Sequence, residues 1–378
     1  MSKRELPRVA VVYTHFPHYR SPVFRSLAKS RDYDFEFFYD ARGINETIVS
    51  GVKDDGHHSL AVRTWRGLIW QFGAIRLAFS DKFDGYIFLG NPFIISTWIA
   101  ALMVRLRGKP VYFWTHGWLR REKGVAAFLR LLFYRLANHL LVYGERAIEL
   151  GQAQGYPPAQ IHTIYNSLDY EKQAKIRDRI LRQSGKLPNV SGANAKPYFL
   201  MVGRLVKPLN VELAFDAIEI GKVDAELVIV GDGPEKSRLV RDARRRSLPV
   251  RFMGAIYDEE QLGRLFLGAC AVISPGKVGL LAMHSLAYGA SLITHGDFDN
   301  QMPEVEAIVP GVTGAFFERN DASALASRMN AFLNGKAYSV GVAEGKQRAI
   351  AMIEDRYTAD AQVLLITEAL NIELGRGA

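Results

Sequence analysis

The chain has 378 residues, 48% apolar and 23% charged, with 33 Gly and 15 Pro in no periodic tract; this excludes disordered, collagen-like and repeat classes and suits two domains of ordinary size. Its only cysteine, Cys270, sits in an apolar run, which rules out an intrachain disulfide or a thiolate metal cage and points to a reducing compartment. The net charge of +9 is uneven: residues 1–170 carry 22 basic and 14 acidic groups, residues 171–196 carry 7 and 2, and residues 197–378 carry 19 and 23.

In chain order, the basic start Met1–Arg8 precedes an apolar run broken by His15, Pro17 and Arg20, so no signal peptide is expected. Apolar β-rich runs at Arg8–Thr14, Asp34–Tyr39, Gly85–Leu89, Val111–Thr115 and Leu140–Tyr143 alternate with helical patterns such as Pro22–Ser30 and Val125–Ala137. Tyr86–Val104 is uncharged and long enough to span a bilayer. Asn91-Pro92 breaks it, so it reads as a strand followed by a helix over Phe93–Arg107. A charged helix-like piece from Tyr170 and a turn-rich stretch from Gly185 suggest a linker over 171–196. A second strand series follows: Tyr198–Val202, Glu226–Val230, Val250–Met253, Ala271–Ile273 and Ser291–Thr294. The pattern predicts an α/β chain of two Rossmann-like parallel-sheet domains, 1–170 and 197–356, facing across a cleft. An amphipathic helix over 357–378 closes the chain and is free to cross back to the first domain. Ligands are expected at the carboxyl ends of the strands, between the halves.

The basic front half invites nucleic acid, anionic lipid or phosphate-bearing substrates. No RNA-binding aromatic motif, zinc-finger spacing or basic-zipper heptad is present, so a nucleic-acid partner is not expected. Trp65–Phe72 and Trp118–Lys123, the latter followed by Phe128–Arg135, mix aromatics, Leu and cations as interfacial helices do; core-facing helices with solvated Arg read the same way. At the edge of the predicted front sheet, Phe16, Tyr19 and Arg20 follow the first strand, Asn91 follows the third, and Trp118 and Arg120 follow the fourth. They are candidates for binding an acceptor, or for plain strand–helix connections.

The rear half holds four signals. Gly203-Arg204-Leu205-Val206-Lys207 ends a strand with two cations suited to phosphate. Gly231-Asp232-Gly233-Pro234-Glu235 is a strand-to-helix turn lacking the third dinucleotide glycine. Pro275-Gly276-Lys277-Val278-Gly279-Leu280, with His284 beyond, runs from a strand through a Gly-rich loop into a helix whose free amides suit a phosphate. Asn300–Glu306, with Pro303-Glu304, and then Gly311–Gly314 place a turn and a carboxylate at the same edge.

The order of these motifs, together with Asn166-Ser167-Leu168-Asp169 and Thr115-His116-Gly117, resembles the retaining GT-B fold glycosyltransferases of family four over nearly all of residues 8–374. The resemblance implies a UDP- or GDP-linked sugar donor on the rear domain, an acceptor on the front domain, and no required metal or cofactor. It implies that Arg204 neutralises the leaving diphosphate and that the amides of Gly279 and Leu280 bind it, with Gly203, Pro275, Gly276, Lys277, Val278 and Glu304 around the donor. Met253 and Gly254 would lie by the base and His116 by the sugar. Cations there aid cleavage, because charge builds on the departing phosphate as the sugar becomes oxocarbenium-like. The chain departs from the family at Leu209-Asn210, where Lys-Gly is common, and Lys207 is the candidate replacement; His284 stands where the family has a glutamate. The expected activity is sugar transfer to a lipid-linked or growing surface glycan, by a cytoplasmic protein peripheral to an anionic membrane's inner face. A noncatalytic sugar-nucleotide-binding scaffold and a nucleotide-sugar epimerase on the same fold stay open. Asp297-Phe-Asp299 and Asp32-Tyr-Asp34 match a short metal-binding tripeptide but read as solvated turns, and His57-His58 reads as a surface loop.

Overall fold

The computed structural model describes residues 6–15, 17–42, 57–184 and 196–375. The chain divides into two units, Met1–Asp169 with Thr358–Ala378, and Tyr170–Tyr357.

The first unit contains β1 (Arg8–Val12), β2 (Asp34–Tyr39), β3 (His57–Ser59), the hairpin β4 (Val62–Trp65) and β5 (Leu68–Gln71), then β6 (Gly85–Leu89), β7 (Val111–Trp114), β8 (His139–Val142) and β9 (Ile161–Thr163). Seven of them form a parallel sheet in the order β3-β2-β1-β6-β7-β8-β9. Side chains alternate across it. Val9, Val11, Phe37, Ile87 and Trp114 join a core with the helices Ser21–Ala28 and Ala359–Leu374. Ala10, Val12, Phe88, Phe113 and Leu140 join another on the opposite face, with the helix Ile95–Leu106. Burial on both faces is why these strands read as continuous apolar runs rather than as alternating ones.

The last helix is held to this sheet by side-chain bonds: Tyr33 Oη donates to Asn371 Oδ1 at 2.6 Å, and His139 Nε2 lies 3.2 Å from Glu373 Oε1. Two details differ from the sequence reading. Trp65–Phe72 is not an interfacial helix, because Arg66 and Gly67 both adopt positive φ (47° and 83°), the requirement of a tight hairpin turn. His57 and His58 lie on a strand rather than a loop, their rings stacked on Tyr39 and Phe38 at 5.1 and 4.8 Å.

The second unit opens with the helix Tyr170–Ser184, so the first half of the stretch read as a linker is an ordered helix of this unit. Its sheet holds β10 (Tyr198–Val202), β11 (Glu226–Val230), β12 (Val250–Gly254), β13 (Ala271–Ser274), β14 (Leu292–His295) and β15 (Gly314–Phe317). The order is β12-β11-β10-β13-β14-β15, all parallel. Phe199, Met201, Ile229 and Ile273 pack under the helices Val211–Ile220 and Ala322–Leu333. In each sheet the strand order reverses once, between β1 and β6 and between β10 and β13. Loops diverge at such a reversal and leave a crevice at the carboxyl ends of the strands.

Among the described residues no helix is long and apolar enough to cross a membrane. Tyr86–Val104 falls on β6 and the helix Ile95–Leu106.

Candidate functional site

In the second unit the reversal lies between two strands that carry the strongest sequence signals. Gly203 and Arg204 follow β10, and Pro275–Gly279 follows its neighbour β13. The two loops touch: a Cβ on Gly276 would stand 1.9 Å from the Pro208 carbonyl oxygen, so only glycine lets the Lys207–Leu209 turn and the β13 loop share this space. Pro275, Gly276 and Val278 are buried while Lys277 is exposed, as are Arg204 and Lys207. Among the described residues none of these three cations has an ion-pair partner, so one sheet edge presents three uncommitted positive charges.

The β13 loop is held by a residue that the motif reading quoted without a role. Gln301, 2% exposed, accepts from the Val278 amide at 2.8 Å and donates to Thr294 Oγ1 and the His295 carbonyl, both at 3.0 Å. Gly279 caps the helix Leu280–Ala287, whose first amides have no intrahelical partner. Glu304 is buried opposite, its Oε2 3.9 Å from where a Gly279 Cβ would be. Free amides at a helix start and exposed cations on the adjacent loops are each chemistry suited to an anion.

Met253 is exposed at the end of the edge strand β12, where Gly254 takes φ +74°. His284 is turned to a different task. Its Nε2 lies 2.8 Å from Glu259 Oε1, and its ring packs on Phe266 at 4.6 Å. Burial opposes the Glu259 charge, but hydrogen bonds from His284, Tyr288 and Gln173 outweigh it and hold the carboxyl below its ordinary value. The Nε2 of His284 is therefore committed to Glu259. Asp297 is likewise engaged, by Asn300 at 2.8 Å and Arg319 at 3.0 Å.

In the first unit the carboxyl ends of β1, β6, β7 and β8 bring together Arg20, Asn91, His116 and Tyr143. Arg20 lies in the short turn His18–Arg20, beside a half-exposed Tyr19, and is 8% exposed. Its Nη2 donates to Tyr143 Oη, and its guanidinium covers the rings of Tyr143, Trp114 and Tyr13 at 5.0, 5.5 and 6.0 Å. Burial disfavours that charge, yet Tyr143, Tyr13 and Tyr19 outweigh the penalty and keep the group protonated.

His116 is exposed and lies edge-on to Tyr143 at 4.9 Å. Desolvation first and the Arg20 charge second push its pKa down to about 4, leaving a neutral imidazole at pH 7. Asn91 accepts from the Phe93 amide at 3.0 Å, and Arg120 is exposed. Phe16 lies outside the described residues. Trp118 is corrected: it is 1% exposed, wedged between Tyr134 and Tyr156 at 4.8 and 5.6 Å, and so packs in the core instead of standing exposed beside Arg120.

Solved structures resemble the chain over its whole length. The Anabaena protein Alr3699/HepE, crystallised in complex with UDP, aligns with 97% of this chain and 100% of its own at a TM-score of 0.70 and 14% identity. The fold is GT-B. Within this GT-B chain, residues 185–349 match the family model described as "Glycosyl transferases group 1". Two curated proteins are similar over shorter stretches. A GDP-mannose-dependent alpha-(1-6)-phosphatidylinositol dimannoside mannosyltransferase of Mycobacterium tuberculosis is 36% identical over 97 residues, 24% of this chain and 25% of that one. The O-antigen chain mannosyltransferase C of Escherichia coli is 29% identical over 175 residues, 44% of each chain. The matches thus span a quarter to under half of those relatives.

Proposed function

We propose that this GT-B chain is a retaining, metal-independent glycosyltransferase that moves a sugar from a nucleotide diphosphate held by the second unit to a lipid-linked or growing surface glycan held by the first. The observation that carries the reading is the set of three unpaired cations, Arg204, Lys207 and Lys277, on two interlocked loops beside the amides of Gly279 and Leu280. Such a set favours charge that develops on a departing diphosphate. In this reading Arg204 and Lys207 stabilise the leaving group, and Lys207 supplies the cation absent at Leu209-Asn210. Gly203, Met253, Gly254 and Glu304 line the nucleotide and sugar. His116, kept neutral, meets the reacting sugar, and Tyr19, Arg20, Asn91 and Arg120 meet the acceptor. The donor is UDP- or GDP-linked, and GDP-mannose heads the test because both curated relatives are mannosyltransferases by name.

The partner surface proposed for the first unit is an anionic membrane face. The helix Gly124–Tyr134 turns Val125, Phe128, Leu129 and Leu132 outward, 74, 63, 47 and 45% exposed, at the spacing of a single helical stripe. Exposed Arg120, Arg121 and Lys123 precede it. Apolar insertion next to cations is the chemistry of interfacial helices.

The test is turnover. Purified protein is given GDP-mannose or UDP-glucose with and without a polyprenyl-diphosphate-linked glycan. Acceptor-dependent release of nucleotide, with the anomeric configuration kept, is the expected result. Nucleotide binding without turnover favours the scaffold, and an altered nucleotide sugar formed without acceptor favours the epimerase.

A further inference from the structure

Arg20 is a buried charge in an unusual setting. A guanidinium carries five N–H donors and is seldom buried without a carboxylate. Among the described residues Arg20 has no carboxylate partner, and Tyr143 Oη is its one side-chain hydrogen-bond acceptor. Trp114, whose ring the guanidinium covers at 5.5 Å, is wholly buried, and among the described residues its Nε1–H has no hydrogen-bond partner. At the carboxyl ends of β1 and β7 the fixed guanidinium thus lies over a buried indole N–H that has no acceptor among the described residues. Tyr143, itself 2% exposed, touches the exposed His116, whose ring lies edge-on to it at 4.9 Å. An unmet N–H donor beside a fixed positive fork matches the planar or tetrahedral oxygens of an oxyanion.

We propose that the Arg20–Trp114–Tyr143 box is a subsite for an oxyanion, phosphoryl or carboxylate, borne by the acceptor. That the acceptor bears the anion rests on the transferase reading above; that the box takes an oxyanion rests on the first unit alone.

All five tryptophans, at positions 65, 70, 98, 114 and 118, lie in the first unit, so indole resonances report on it without interference from the donor loops. The experiment titrates inorganic phosphate, pyrophosphate and acetate into the full ¹⁵N-labelled chain and follows the Nε1–H cross-peaks, with Trp114→Phe assigning its own. The Trp114 peak is expected to shift saturably with an oxyanion and to stay still with neutral methyl mannoside. Phosphate or pyrophosphate acting alone identifies a phosphoryl group, and acetate acting alone a carboxylate. Arg20→Gln should abolish the shift while the other four indoles keep their positions. If that variant unfolds, Arg20→Lys decides, because it keeps the charge and loses the fork; it should bind at least about tenfold more weakly. A Trp114 peak unmoved by all three anions, or moved equally in Arg20→Lys, overturns the proposal. UDP and GDP binding is measured in parallel by calorimetry: its absence alongside a moving Trp114 peak removes the donor reading and leaves this one standing.

Discussion

Gly276 packs directly on the Pro208 carbonyl, and only glycine fits there: a Cβ at position 276 would lie 1.9 Å from the Pro208 carbonyl oxygen and 3.2 Å from the Leu209 carbonyl carbon. The obstacle is backbone, which cannot rotate away. Gly276→Ala is expected to lower stability by about 1–3 kcal/mol, as overpacking does. It should also weaken nucleotide binding, because it separates the two cation-bearing loops. Urea unfolding and nucleotide calorimetry on the same protein check both effects.

Arg204 and Lys207 should separate in kinetics. If Arg204 neutralises the leaving diphosphate as proposed, Arg204→Ala should lower kcat by roughly a hundredfold or more, the scale of losing one transition-state donor, with acceptor KM little changed. Lys207→Ala should weaken donor affinity as well as rate. Unchanged donor affinity and rate in that variant would leave the gap at Leu209-Asn210 unfilled.

Among the histidines that shape the acid side of the stability profile, two are shifted furthest, with His15 and His295 lowered as well. His116 and His162 are each pushed from 6.5 to about 4, the first by desolvation and Arg20, the second by burial and His139. Both are depressed on folding, so between pH 6.5 and 4 the unfolded chain binds more protons than the folded one, and stability falls as pH drops through that window. Above pH 6.5 these groups contribute no slope. Urea midpoints measured from pH 8 to pH 4 should be flat and then decline, and His162→Gln should make the decline shallower.

Phe128→Ser with Leu132→Ser removes exposed apolar surface, 63 and 45% exposed in the parent. Thermal stability should change little, while sedimentation with anionic liposomes at low salt should fall several-fold. Equal binding by parent and variant would move the membrane contact away from this helix.

Much of this was legible in the sequence because parallel strands buried on both faces announce themselves as apolar runs, and because glycines at strand ends mark where backbone must come close. Val202-Gly203-Arg204 and Pro275–Gly279 could be read that way, and the structure sets them on adjacent strands. Trp118 misled because a Trp beside Arg120 and Arg121 reads as interfacial, while only the fold reveals the pocket between Tyr134 and Tyr156 that swallows it. His284 was found, but its partner Glu259 lies 25 residues earlier on another helix, a pairing no local pattern encodes. Gln301 and Tyr143 were missed for the same reason: their work is done on loops distant in sequence. Short β3 escaped because its residues are polar, and the β4–β5 hairpin because its mix of aromatics, Leu and cations reads as an interfacial helix.

The most direct test is calorimetric titration of UDP and GDP into the parent chain and into Arg204→Ala/Lys207→Ala/Lys277→Ala. Saturable binding of at least one diphosphate to the parent, weakened about a hundredfold or more in the triple variant, is the predicted result, since each charge-assisted contact is worth about 1.5–3 kcal/mol. Binding that survives the triple substitution unchanged, or no binding of either nucleotide to the parent, would contradict a diphosphate site at this sheet edge.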